Sequence, residues 1–474
     1  MPDPLDAVND AVPALELVVE HARRYLADAR GPVREQTADD AARAFTGSLP
    51  DEGSGTLAAV RQLLEQGTHA HVRSGGPRFF HWVIGGSTPA ALAADWFAVL
   101  IDQNAGGWDM TPLGTQLEEL SLAWLRDLFG LRREWDGVLT TGATTANFAA
   151  LAAARQWWGE QQGVDVATDG LAGLPEMPVL TSGFVHSSSL KALAMLGVGR
   201  KRIAYSIADE TGRLDLEDLE RRLKHLGGAP AVVIATAGEV NAGHFDPIAD
   251  MGRLARAHNA WLHVDGAFGL FARTSPRTAR LTEGVERADS VISDGHKWLN
   301  VPHDCGFVFV RDPMLLTKVF SASASYLADE LHAFRAPDLS RRARSLAVWA
   351  TLAAYGRNGH RAIVERCLDN AAHVARCVDE ADDLELLAPA PLNVVCFRYR
   401  PTGVPEAQLD ELNLRIGRAV LRDGRVYVGT TRWAGRVAFR PAFVNWQTTT
   451  ADADLLLETV RDLGRRLTGA RSRR

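Results

Sequence analysis

Hydrophobic residues change their spacing twice along the chain. Near the start, Val8, Val12, Leu15, Val18, Val19, Ala22, Tyr25 and Leu26 recur about every 3.6 positions, which predicts an amphipathic helix. Asp10 is expected to cap it, and Pro13 falls in a first turn whose N–H groups have no helical partner to lose. A polar, glycine-containing stretch over 46–56 reads as a connector to another short helix over 57–65. Such an arm, 1–75, cannot bury its own stripe, so it must pack on the body or on a partner subunit.

Over 76–345, short apolar or β-branched runs alternate with Ala- and Leu-rich helical runs. Strands are expected at 137–141, 179–181, 202–205, 231–235, 261–264, 290–293 and 306–310. This alternation predicts an α/β fold, a mostly parallel central sheet with helices on both faces. Sheets of that kind bind ligands beyond the carboxyl ends of their strands. The stretch 159–178 reads as a surface insertion. Over 346–474 a long helical pattern leads to short strands at 393–399 and 437–439, a smaller C-terminal α+β domain.

Composition narrows the classes. With 46% hydrophobic and 23% charged residues in 474, the chain has the make-up of a globular protein, not of a disordered or fibrous one. A formal net charge of −6 offers no global positive field for nucleic acid or anionic lipid. The basic residues Arg465, Arg466, Arg471, Arg473 and Arg474 read as a frayed end. Cys305, Cys367, Cys377 and Cys396 are widely spaced, which suggests reduced thiols and a cytoplasmic location, and no residue is assigned to a metal. The N-terminus lacks the apolar core of a signal peptide. The longest uncharged stretch, 137–154, carries Thr, Gly and Asn147, so no membrane span is expected.

Five places could carry chemistry. In Ser290-Val291-Ile292-Ser293-Asp294-Gly295-His296-Lys297, a strand delivers a lysine to its end, where desolvation would free the amine to attack aldehydes; a turn lysine on the surface is the plainer alternative. Trp261-Leu262-His263-Val264-Asp265-Gly266-Ala267 delivers a carboxylate to another strand end, where it needs a positive partner such as a protonated pyridine nitrogen, or simply caps a turn. The stretch from Gly142 through Ala143, Thr144 and Thr145 opens a helix whose first N–H groups could hold a phosphate. It matches neither nucleotide-binding glycine fingerprint. His186, among small hydroxyl residues, could lie flat on a heteroaromatic ring, and Thr236 ends another strand.

The order anion pocket, His, Thr, Asp and His-Lys resembles the pyridoxal phosphate site of a fold-type-I enzyme. Over about 77–361 the chain resembles the group II pyridoxal-phosphate-dependent decarboxylases, which include aromatic-L-amino-acid, histidine and tyrosine decarboxylases. Gly107-Trp108-Asp109-Met110-Thr111-Pro112 with Thr115, Leu117 and Glu118, Trp261 to Gly269, Ala288-Asp289-Ser290 with His296-Lys297-Trp298-Leu299, and Arg341-Arg342-Ala343-Arg344-Ser345-Leu346 with Trp349 carry the likeness.

The resemblance implies a fold-type-I large domain and pyridoxal 5'-phosphate. It implies Lys297 for the Schiff base, Asp265 for the ring nitrogen, His186 stacked on the ring, and Ala143 and Thr144 on the phosphate. Thr236, Ala267 and His296 would line the cofactor site. It further implies removal of the α-carboxylate of an L-amino acid through an internal aldimine and a quinonoid, in a homodimer with active sites at the interface. Candidate substrate contacts are Phe80, His81 and Trp82, then Trp108, or its neighbours Ile101 and Asp102, reaching the second subunit's pocket, and Arg440 for a carboxylate, with a strand-edge salt bridge as its plainer alternative.

Two departures stand out. Asp294 stands where animal members carry Asn; an acidic residue close to a phosphate is repulsive unless protonated or turned away, so Asp294 is not counted as a phosphate ligand. The loop over 320–340 is short, Tyr326 lies too early to be the family's proton-donating tyrosine, and His332 falls nearer the expected place. Such a loop leaves room for other outcomes of the same carbanion: oxidative deamination after decarboxylation, aldol-type cleavage or aminotransfer. The competing class is a catalytically retired binding protein of the same fold.

Overall fold

The computed structural model describes residues 4–35, 38–325 and 332–469. Seven strands form the main sheet: β1 (Asp136–Thr140), β2 (Val179–Thr181), β3 (Ile203–Tyr205), β4 (Ala231–Thr236), β5 (Ala260–Asp265), β6 (Ser290–Asp294) and β7 (Gly306–Val310). Their spatial order is β1-β7-β6-β5-β4-β2-β3. Six point one way, and β7 runs against both of its neighbours. Every residue of β4 and β5 is buried, the signature of a sheet covered on both faces. The fold is that of the fold-type-I pyridoxal phosphate enzymes.

The helix Ala143–Glu160 crosses the sheet and packs on β5, β6 and β7. Ala146, Ala149, Ala150, Ala153 and Ala154 are fully buried along it. Methyl-sized side chains let helix and sheet approach closely, which brings the first turn of the helix up to the strand ends. The helix Ser345–Asp379 breaks at Gly356, whose φ of 57° and ψ of −171° suit only glycine, and leads into a second sheet. That sheet comprises β8 (Leu384–Leu386), β9 (Phe397–Tyr399), β10 (Thr430–Trp433) and β11 (Arg436–Phe439), all antiparallel in the order β10-β11-β9-β8.

Several expectations need correction. The strand expected over 393–399 is only three residues long, because Asn393 is spent on Phe443 O at 2.9 Å and Val394 forms an isolated bridge to Ala442. In the arm, Asp10 stands at the start of the helix Ala11–Ala27 but its side chain caps nothing. The second arm helix extends over Thr56–Ala70, and a short helix, Ala38–Ala44, went unanticipated. The insertion 159–178 contains a four-residue helix, Val166–Asp169, capped by Asp165. Arg465 and Arg466 lie in the last turn of Thr450–Thr468 rather than in a frayed end; Arg471, Arg473 and Arg474 lie outside the described residues.

Candidate active site

Strands β4, β5 and β6 run side by side and end in Thr236, Asp265 and Asp294. Beyond these ends opens a cavity of about 310 Å³ whose lining includes His186, Thr236, Glu239, Asp265, Ala267 and Lys297. Five of the residues singled out in the sequence thus meet in one place.

Asp265 is buried and held at three points. Its Oδ2 accepts from Asn147 Nδ2 at 2.9 Å and from Ser189 Oγ at 3.1 Å, and its Oδ1 accepts from the Ala267 N–H at 3.2 Å. Because Asn147 spends its amide N–H groups on Asp265 and Ser188, its Oδ1 must accept, so His263 Nε2 at 2.8 Å carries the hydrogen. His263 Nδ1 then accepts from Ser290 Oγ at 2.9 Å, which in turn accepts from Trp261 Nε1. Burial holds this imidazole neutral, against the pull of Asp265 toward the charged form. The chain of hydrogen bonds therefore has one direction and ends on Asp265.

After β6 the backbone makes a single π-helical turn, Gly295–Leu299, the kind of irregularity found most often at functional sites. It carries Lys297, whose Nζ lies 3.0 Å from Asp294 Oδ2 and 5.8 Å from the centre of the Phe268 ring. Asp294 Oδ1 accepts from the Ala143 N–H at 2.5 Å, so the carboxylate caps the helix whose own N-cap, Gly142, supplies no side chain. His296 stacks on His303 at 4.1 Å and accepts at Nδ1 from the Cys305 N–H; burial pushes it down to about 4.

His186 accepts at Nδ1 from the Ser188 N–H at 3.2 Å, which leaves Nε2 to carry the hydrogen. Burial lowers its pKa despite the nearby Asp265. Thr236 Oγ1 is buried without a hydrogen-bond partner, a group left for a ligand to satisfy. Beneath it, Asp246 accepts from the Thr236 N–H at 2.8 Å and from Ser182 Oγ at 2.9 Å, and burial pushes its carboxyl up to about 7.

The remaining candidates are scattered. Phe80 is 1% exposed and packs against Phe443, ring centres 5.3 Å apart, so it is core rather than pocket wall. His81 is half-buried, its buried Nδ1 has no partner, and its pKa is lowered to about 4 by burial and then by Arg440. Trp82 and Trp108 point to the surface, 65% and 49% exposed. Arg440 donates to Val240 O at 3.2 Å, and burial lowers its pKa against the opposing pull of Glu239. His332 is not poised over the cavity: its Nε2 is buried 3.5 Å from Glu118 Oε1, beside Arg341. Tyr326 lies outside the described residues. Sequence reasoning missed Asn147, Ser189, His263 and Asp246 as supports. His263 was within reach, since it lies two residues before Asp265 and shares its face of the strand.

The ring end of this site fits pyridoxal 5'-phosphate: an anchored carboxylate, a lysine and an orphaned hydroxyl share one cavity. At the phosphate end the helix start is present, with Asp294 on its first N–H. Fold and site together define a pyridoxal-phosphate-dependent enzyme. The model of the pyridoxal-dependent decarboxylase conserved domain matches residues 48–400, and the chain belongs to that family. Among its relatives, L-2,4-diaminobutyrate decarboxylase of Rhizobium meliloti (strain 1021) is 32% identical, over 88% of this chain and 84% of that protein. Aromatic-L-amino-acid decarboxylase of Bacillus atrophaeus is 28% identical over 93% and 91%. The crystal structure of mouse CSAD in apo form superposes with a TM-score of 0.88 at 26% identity, covering 98% of this chain and 99% of that one. The protein is a pyridoxal-phosphate-dependent amino acid decarboxylase, a carboxy-lyase.

Proposed function

We propose that this cavity removes the α-carboxylate of an L-amino acid, with the Lys297 amine holding the cofactor's aldehyde and Asp265 facing its ring nitrogen. The observation that carries the reading is that Asp265 and Lys297, from two different strand ends, line the same cavity. When bound, pyridoxal 5'-phosphate supplies the ring that accepts the electron pair left on Cα as carbon dioxide departs. The three hydrogen bonds on Asp265 orient its carboxylate, so it can keep a proton on the ring nitrogen without turning away.

His186, which lines the cavity, would cover one ring face, and Thr236 Oγ1 would find its partner on the cofactor. Ala143, Thr144 and His296 would meet the phosphate, with Ala267 lining the ring. Glu239 lines the cavity and Arg440 donates to Val240 O on its wall, so these two would receive the substrate's polar groups. We assign the chain three units, 1–75, 76–345 and 346–474, and a homodimeric state. The exposed apolar side chains of the arm support the dimer. The four unpaired thiols support a cytoplasmic location, and no helix among the described residues is long and apolar enough to cross a membrane.

Borohydride reduction followed by peptide mapping should place a pyridoxyl group on Lys297, and a panel of L-amino acids should yield carbon dioxide. Lys297→Ala should abolish both. Ammonia and hydrogen peroxide released from every reacting substrate without carbon dioxide would overturn the assignment.

A further inference from the structure

Asp294 is a charge in an unusual place. Its side chain is 3% exposed and makes three contacts: the Ala143 N–H at 2.5 Å, Lys297 Nζ at 3.0 Å and His296 Nε2 at 3.7 Å. The first of these is a leading N–H of the helix Ala143–Glu160, eighteen residues long and pointed at the strand ends. A helix N-terminus attracts an anion through these N–H groups and its dipole, and a phosphate drawn here meets the Asp294 carboxylate already on the Ala143 N–H. Lys297 is the cation in ion-pair contact with Asp294 among the described residues. His296 and His303, which flank it, are kept neutral by burial, and Arg344 is committed to Asp304. Once Lys297 is bonded to the cofactor's aldehyde, its nitrogen no longer offers Asp294 the three free N–H groups of an ammonium, and a second anion arrives beside it.

We propose that Asp294 is a built-in anion that competes with the cofactor's phosphate for the start of this helix, and so limits how much the phosphate contributes to cofactor affinity. The proposal rests on the reading above for the cofactor's place, and it concerns a different end of the cavity. Asn at this position would keep an oxygen for the Ala143 N–H and add an N–H for the phosphate, so Asp294→Asn should strengthen phosphate binding.

The test compares pyridoxal with pyridoxal 5'-phosphate, which differ in the phosphate alone. Their dissociation constants are measured by equilibrium dialysis on the full chain, for the wild type, Asp294→Asn and Asp294→Ala. Any effect of losing the Asp294 contact on the Lys297 amine touches both aldehydes and cancels in the ratio. The preference for the phosphorylated form should rise about tenfold or more in Asp294→Asn, the scale of a like charge removed at close range. Inorganic phosphate alone should bind Asp294→Asn more tightly than the wild type in calorimetry. A ratio unchanged within about twofold in both variants, with melting curves showing folded protein, would overturn the proposal, since a contact of this range carries more. Should the substitutions prevent folding, the wild type decides: a weak preference for the phosphorylated form, with little competition by inorganic phosphate, supports the proposal, and a preference above about a thousandfold refutes it. Failure of either aldehyde to label Lys297 would instead refute the cofactor assignment, while the phosphate titrations would still report on Asp294.

Discussion

Asp265 draws its orientation from residues far away in the chain. Asn147 comes from the helix after β1 and Ser189 from the helix after β2, and His263 locks Asn147 in turn. Asn147→Ala would leave Asp265 Oδ2 with Ser189 alone and His263 Nε2 without an acceptor. A hydrogen bond to a charged group is worth about 1.5–3 kcal/mol, so turnover should fall roughly 10- to 100-fold. Lys297 should still take up cofactor under borohydride, and a wild-type kcat would show that the network does not act on the ring. That Asp265, Lys297 and His186 meet in one cavity was legible because each lies at or just beyond the end of a short strand, a place that local pattern marks. Asn147 was not, since its role depends on a contact spanning 118 residues.

At the scale of elements, the turn that carries Lys297 is set by its neighbour. Gly85 donates its N–H to His296 O at 3.1 Å, and a Cβ at Gly85 would come within 1.7 Å of Lys297 O. Backbone cannot yield as a side chain does, so Gly85→Ala should destabilise the fold by about 1–3 kcal/mol. Calorimetric melting would register that as a lower Tm, with reduced labelling of Lys297; an unchanged Tm would refute the close approach. The strands of the main sheet were legible to within a residue or so, because each is a short apolar or β-branched run and most are buried. The reversal of β7 was not, because direction leaves no mark on side-chain period. Its cause is the connection over 295–305, shorter than the dozen or so residues that a parallel crossover needs.

At the scale of the whole molecule, large apolar side chains stand exposed along two segments of the described residues. Val8, Val12, Leu15, Val19 and Leu26 stand out along the arm, and Trp96, Phe97, Val99 and Leu100 along the helix Pro89–Ile101. Contiguous apolar patches of this kind mark association surfaces. Sedimentation equilibrium should give twice the chain mass for the wild type, and Val12→Glu combined with Leu15→Glu should shift it toward monomer. A monomeric wild type would remove the interface from the account.

The amphipathic stripe of the arm, the seven strands of the main sheet and the residues at their ends follow from the order of amino acids, because hydrophobic period and strand length are local properties. Tertiary structure decided the rest. It turned His332 away from the cavity by pairing Glu118 with Arg341, which holds that buried carboxyl down at about 2 although burial alone would raise it. It also carried Asp294 to the start of a helix 151 residues earlier. Charges choose their partners by distance in space, and only the packed sheet and helices fix that distance.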